Sequence, residues 1–425
     1  MIRPAALAAG HRSRHAFEVF AAFLKLGLTS FGGPVAHLGY FRREFVERRR
    51  WLDDAAYSDL VGLCQFLPGP ASSQVGFSIG LARAGWAGGI AAWCGFTLPS
   101  VLLLIAFAIA APDMRGGFGQ GLAHGLKLTA VAIVAQAVWD MGRRLCPDAR
   151  RTAIALAAAA LVSTVSSGFA QLAAIVLGAV AGLALGRVEL ARGADAAART
   201  ACAAAPHSHM ASVISRRASL LAFATFCLLL AGMPLVAGAL RAAAPEAAAM
   251  SRVFDAFFRS GALVFGGGHV VLPLLQHQPA IAGAVGPDVF LSGYGAAQAV
   301  PGPLFSFAAF LGWVMVPAPL QWAAAALATI VIFLPGLLLV VAALPHWQSL
   351  RARPAMAAVF AGVNAAVVGV LGAALYSPVW TSAVLRPVDF AIAAIGFFLL
   401  VRWKAPPLLV VALCAAAGIA LAAAH

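Results

Sequence analysis

Two stretches of this chain place backbone-breaking residues beside charge inside otherwise apolar sequence. Phe31-Gly32-Gly33-Pro34 interrupts one apolar run and Phe265-Gly266-Gly267-Gly268-His269 interrupts another. Paired glycines unwind a helix, and Pro34 has no amide hydrogen to give. At membrane depth such a break must be satisfied by protein or by a water-filled cavity. A half-helix starting there points free N–H groups and the positive end of its dipole at the cavity, which suits an anion. Lys25 precedes the first glycine pair and Arg259 the second, in register (259 − 25 = 234). A cation inside an apolar run marks a functional site by default, and two matched cations repel unless an anion lies between them. The competing explanation is that each snorkels to an interface. His37 and His269 add donors or titratable groups, or serve as packing residues.

A second pair of breaks follows the first. Gln65-x-x-Pro68-Gly69-Pro70 recurs as Gln298-x-x-Pro301-Gly302-Pro303, at an offset of 298 − 65 = 233. Two prolines around a glycine open a helix and expose carbonyls and amides. Ser72, Ser73, Gln74 and Ser306 lie close by in sequence and offer neutral donors. A third pair, Lys127 and Asn364, puts polar groups on equivalent apolar segments, with Lys127 expected to line the cavity. Walker A, H-E-x-x-H, C-x-x-C-H and dinucleotide fingerprints are missing. The mid-membrane ionisable groups are mainly basic, which favours an anionic substrate. Neither a cofactor nor a metal is called for. His207 and His209 share a linker, where solvated histidines are the ordinary case.

These motifs belong to a duplicated sequence. Leu98-Pro99 recurs as Leu334-Pro335, Gly125-Leu126-Lys127 as Gly362-Val363-Asn364, and Ala181-Gly182 as Ala417-Gly418, all in one order at nearly constant offset. A period this long signals a duplicated domain, and in membrane proteins it points to a transporter with its site between the halves. The membrane setting follows from composition. The chain of 425 residues is 62% hydrophobic and 10% charged, well below the roughly one quarter charged in soluble domains. Apolar runs at 86–111, 119–140, 220–240, 321–344, 356–376 and 406–424 approach the roughly 20 residues of a spanning helix. None alternates with period two, so a β-barrel is not the expected fold. The net charge of +14 resides in short loops as topology signals, so nucleic acid is not an expected partner. Six scattered cysteines form no disulfide framework or C-x-x-C pair.

Loop charges oppose each other between the halves. Arg42, Arg43 and Arg48–Arg50 contrast with 276–288, which has no Lys or Arg. Arg143, Arg144, Arg150 and Arg151 contrast with 377–387, which holds only Arg386. The bias reverses where Arg351, Arg353, Arg402 and Lys404 face sparse counterparts. By the positive-inside rule the halves run in opposite directions. The expected architecture is an all-α polytopic membrane protein with two inverted repeats, whose broken or re-entrant helices meet near the membrane midplane. The expected divisions are a cytoplasmic N-terminus (1–16), a first repeat (17–187), a cytoplasmic basic linker (188–218), an extra inverting helix (219–241) and a second repeat (254–425). Within the first half, 17–40 and 57–81 should each enter and leave on one side. Four full crossings then complete each half.

Phe-Gly-Gly-Pro at 31–34, the basic segment leading to Trp51-Leu52-Asp53-Asp54, Gln65-Phe66-Leu67-Pro68-Gly69-Pro70 and their second-half echoes resemble the chromate ion transporter family, in its long two-domain form. The resemblance covers nearly the whole chain. It implies a bacterial inner-membrane protein that is not an enzyme and that exports chromate by alternating access, driven by a proton or ion gradient. It maps the duplicated motifs onto Phe31–Gly33, Phe265–Gly267, Pro68–Pro70 and Pro301–Pro303. The acidic residue often found before the Pro-Gly-Pro helix has three candidates here, Asp53, Asp54 and Asp59. Charge and shape leave sulfate or another tetrahedral oxyanion open as cargo, and a passive anion channel as mechanism. The expected partners are the anion and the lipid bilayer, and a homodimer is compatible with the sequence.

Overall fold

The computed structural model describes residues 4–111, 116–165, 170–191, 214–243, 245–265, 267–347, 349 and 353–423. The linker with His207 and His209, together with Gly266 and Arg351, lies outside these residues. Every regular element among them is helical. The first repeat comprises α1 (Pro4–Thr29), α2 (Gly33–Phe41, continued as a π-helix Arg42–Arg48), α3 (Asp54–Phe66), α4 (Ala71–Ala110), α5 (Gly117–Leu145), α6 (Ala149–Thr164) and α7 (Ala170–Ala191). A separate helix, α8 (Arg216–Ala243), packs on the second repeat. That repeat comprises α9 (Pro245–Ala262), α10 (Val271–Gln276), α11 (Pro287–Ala299), α12 (Phe307–Met315), α13 (Gln321–Ala343), α14 (Pro354–Ala374), α15 (Pro387–Val401) and α16 (Pro407–Ala423). Among the described residues five helices are long and apolar enough to cross a membrane, and four shorter apolar helices accompany them.

Four turns build hairpins. Phe23 stacks on Phe45 at 4.7 Å between ring centroids, so α2 and its π-helical extension run back along α1. Ser260 Oγ donates to Leu274 O at 3.3 Å, which folds α10 back on α9 in the same way. Within α4, Ala84 and Gly85 leave helical backbone, and Gly85 takes φ +65°. The arms 71–83 and 86–110 then return on each other, with the backbones of Gly80 and Gly88 in direct contact. Gly312 of α12 approaches Ala324 O of α13 likewise. The structure therefore has the run 57–81 turn back at its Pro-Gly-Pro. Arg83, at the far end of the first α4 arm, lies over the ring of Trp51, just before α3 begins. Asp53 starts α3 by accepting the amide of Ala56 at 2.7 Å, a standard N-cap.

The basic end of the first repeat is tied together by ion pairs. Glu18 of α1 meets Arg49 at 3.3 Å and Arg83 at 3.2 Å. Buried Glu44 accepts from Arg49 Nε at 2.6 Å and from Arg48 at 2.9 Å. Arg49 and Arg83 thus share Glu18 at one end of the first repeat.

The halves are interlocked by reciprocal contacts. α7 packs on α14, and α16 packs on α5, the equivalent pair with the repeats exchanged. Both contacts are glycine-lined: Gly178 and Gly182 meet Gly362, and Gly418 meets Gly121 and Gly125. Small residues let the backbones approach, which drives helix association where lipid replaces water. α6 on α14 and α15 on α5 repeat the exchange.

Candidate functional site

Each Pro-Gly-Pro break is docked on the Phe-Gly-Gly break of the other half. The amide of Gly69 donates to Val264 O at 2.7 Å, and the amide of Gly302 donates to Ser30 O at 2.9 Å. These bonds are equivalents under the repeat, since Ser30 and Val264 differ by 234 and Gly69 and Gly302 by 233. The glycines are required. Gly69 has φ +122° and Gly302 φ +99°, conformations that disfavour a Cβ. A Cβ at Gly69 would also lie 2.9 Å from the Gly336 Cα, and one at Gly302 would overlap Ser100 Oγ. The flanking carbonyl of Pro301 is held across the halves by Ser100 Oγ at 2.6 Å, while Gln74 Nε2 donates to Pro68 O of its own half at 2.9 Å and to Gly336 O of the other at 3.0 Å.

The Phe-Gly-Gly breaks meet each other. A Cβ added at Gly268 would lie 3.1 Å from Pro34 Cγ, and one at Gly33 would lie 3.9 Å from His269 Nε2. Pro34 and Gly268 are equivalents (268 − 34 = 234). A residue that touches its own equivalent lies on the operation relating the repeats, so the pseudo-two-fold axis passes between Pro34 and Gly268. Gly32 (φ +101°), Gly33 (φ +77°) and Gly267 (φ +152°) supply the backbone turns there.

Unpartnered polar groups gather at this crossing. Of the nine buried side-chain atoms without a hydrogen bond among the described residues, Ser30 Oγ, His37 Nε2, Ser73 Oγ, Gln74 Oε1, Thr97 Oγ1, Gln298 Nε2 and Ser306 Oγ sit on the breaks or the helices flanking them. Native proteins rarely leave such groups unpaired, so the concentration marks this region out. Buried His37 places Nδ1 3.5 Å from Ser72 Oγ and its ring edge-on to Phe96. His269 Nδ1 lies 3.0 Å from the Tyr294 hydroxyl.

The charged candidates are placed differently from one another. Lys25 is exposed, whereas Arg259 Nε bonds Asp255 Oδ1 at 2.7 Å, a partner one turn back that the sequence reading did not weigh. Lys127 Nζ donates to Asp288 Oδ1 at 2.8 Å, joining α5 of one half to α11 of the other. His124, one turn from Lys127, bonds buried Asp389 at 2.8 Å. Asn364 is half-buried on α14. Of the three acidic candidates, Asp53 caps α3, Asp54 pairs with Arg42 at 2.7 Å, and Asp59 accepts from Trp347 Nε1 at 2.9 Å. Among the described residues no cluster of three metal-binding side chains occurs.

The repeats are not in identical settings. Gly295 of α11 rests on the backbone of Leu126 in α5. Its counterpart Gly62 on α3 instead faces the Trp347 ring at 3.7 Å. Gln65 is exposed where Gln298 is half-buried, and Pro68 is half-buried where Pro301 is buried.

Crossed broken helices with a polar centre, inside two interlocked apolar repeats, define a multi-pass helical membrane protein of the transporter class. The chain belongs to the chromate transporter family: the family model for the chromate transporter matches residues 17–183 and 251–419. It is 29% identical over 415 residues to the chromate transport protein of Pseudomonas aeruginosa, covering 95% of this chain and 91% of that one. It is 28% identical to the probable chromate transport protein of Synechococcus elongatus, covering 83% and 82%. The chromate transport protein of Cupriavidus metallidurans is 26% identical, with 83% and 80% covered. No solved structure matches the chain.

Proposed function

We propose that this protein is a secondary transporter that exports chromate from the bacterial cytoplasm by alternating access, coupled to a proton or ion gradient. The observation that carries the reading is the reciprocal docking of each Pro-Gly-Pro on the opposite Phe-Gly-Gly. It builds one polar centre from both repeats, where inverted-repeat transporters hold their cargo. The opposed loop charges make the repeats inverted, with 1–16 and 42–50 in the cytoplasm and the chain in the inner membrane. The groups that line the path are Gly32, Gly33, Pro68, Gly69 and Pro70 from one half, and Gly267, His269, Pro301, Gly302 and Pro303 from the other, with Gly266 added on its place in the sequence motif alone. Gln65, Gln298, Lys127 and Asn364 border it, and Lys25 and Arg259 draw the anion towards it.

The asymmetry between the repeats supports the alternating step. α11 is closed on α5 by the backbone contact of Gly295 and the Lys127–Asp288 pair, whereas α3 meets α14 through side chains, with Phe66 on Phe360 at 3.8 Å between ring centroids. The greater exposure of Gln65 and Pro68 than of Gln298 and Pro301 supports access to the centre from the α3 side. Exchanging the two settings opens the other side. The names of the relatives support chromate as cargo. Whole cells test the reading: expression should lower chromate accumulation and raise chromate resistance. Unchanged or greater accumulation would count against export.

A further inference from the structure

We infer that the hydroxyls of Ser73 and Ser306, one from each repeat, form with the amides opening their helices a neutral binding site for a tetrahedral oxyanion on the axis between the halves. The inference rests on the transport reading and specifies the site it needs. The two serines are equivalents, at 306 − 73 = 233, and each stands three residues beyond the last proline of its Pro-Gly-Pro. Ser73 is 2% exposed and Ser306 0%, and neither hydroxyl has a hydrogen-bond partner. A buried hydroxyl left unpaired is unfavourable. Finding the same loss at matched positions points to a partner absent from the protein itself.

The backbone around them is aimed alike. In α4 the first helical bond runs from Gln74 N–H to Pro70 O, which leaves the amides of Ala71, Ser72 and Ser73 outside the ladder. In the second half Ser306 N–H bonds Pro303 O, so the amides of Leu304 and Phe305 precede it. Both helix N-termini therefore present donors and a positive dipole end. They also converge. A Cβ on Gly268, at the axis, would lie 3.9 Å from Leu304 Cδ2. From the other half, Ser72 Oγ, next to Ser73, lies 3.5 Å from Nδ1 of His37, one turn along α2 from the Pro34 that approaches Gly268. Ser30 Oγ, 1% exposed and unpartnered, adds a donor beside the carbonyl that holds Gly302. None of these buried donors is a fixed cation, since Arg259 is committed to Asp255 and Lys25 is exposed. Hydroxyls and amides meet an oxyanion with charge-assisted hydrogen bonds without holding it as tightly as a paired cation would, which suits a cargo that must leave.

The test uses the full chain, purified and in vesicles, with chromate and sulfate as probes. Ser73→Ala and Ser306→Ala should each raise the chromate KM about tenfold, the size expected for one charge-assisted bond, and the double variant should lose saturable binding. Thermal stability should hold or rise, because neither hydroxyl bonds the protein. Ser→Thr at both sites keeps the hydroxyls and should retain binding. Ser78→Ala is the control, since Ser78 Oγ is already bonded to Gln74 O at 2.8 Å. A double alanine variant with wild-type KM, or one that loses stability while keeping its affinity, would overturn the site. Serine-dependent sulfate binding without chromate binding would uphold the site and overturn only the cargo. A wild-type chain that binds neither anion would sink both.

Discussion

At the residue scale, the structure explains why glycine stands at the centre of each Pro-Gly-Pro. Gly69 and Gly302 combine positive φ with contacts that leave no room for a methyl group. Gly302→Ala should therefore lower the thermal stability of the purified protein by about 1–3 kcal/mol, the range for strained backbone and overpacking. Gly39→Ala is the control: a Cβ at Gly39 would meet nothing within 4 Å and its helix gains from alanine, so stability should be unchanged or raised. Equal losses in the two variants would remove the strain argument. Much at this scale is legible from sequence. The breaks could be read because Gly and Pro disrupt helices wherever they stand, and the Arg259–Asp255 pair was available from its four-residue spacing. The Lys127–Asp288 pair was not, because 161 positions separate its partners. The serines carried a signal in their common offset, yet only the packed structure shows that their hydroxyls have no partner.

At the element scale, the hairpins determine what can move. α11 and α5 are joined at Asp288 and Lys127, whereas the equivalent positions Ala55 on α3 and Asn364 on α14 are not tied by an ion pair. In a cysteine-free background, a Lys127→Cys/Asp288→Cys pair should cross-link readily and block transport until reduced. An Ala55→Cys/Asn364→Cys pair should cross-link only when turnover or cargo shifts the protein to the exchanged state. Equal cross-linking of both pairs, insensitive to chromate, would contradict the exchange. A second prediction concerns the glycine-lined crossings. Gly362 touches Gly178 and Gly182 through backbone atoms, so Gly362→Leu must push α14 from α7. It should sharply reduce folded protein in the membrane, measured by fluorescence-detected size exclusion. Normal abundance would mean the crossing tolerates separation. The helices themselves were readable as apolar runs, but one run can hide a hairpin: 86–111 is only the second arm of α4, and its turn rests on Gly85 rather than on any proline.

At the scale of the whole molecule, duplication was legible because five landmarks recur in order, and composition placed the chain in a membrane. How the halves engage was not legible, since sequence offset does not say which break meets which. The structure supplies reciprocal docking, and that geometry makes the centre common to both repeats. Inversion is checked by labelling single cysteines placed at 42–50 and at 276–288, which should be reached from opposite faces. Labelling from one face would make the repeats parallel. The account's central claim, active export through this centre, is tested most directly by chromate uptake into everted membrane vesicles. The account predicts accumulation above the external concentration when a proton or other ion gradient is imposed, and its collapse when the gradient is dissipated. Chromate that only equilibrates across the vesicle membrane, whatever the gradient, would contradict it and leave a passive channel.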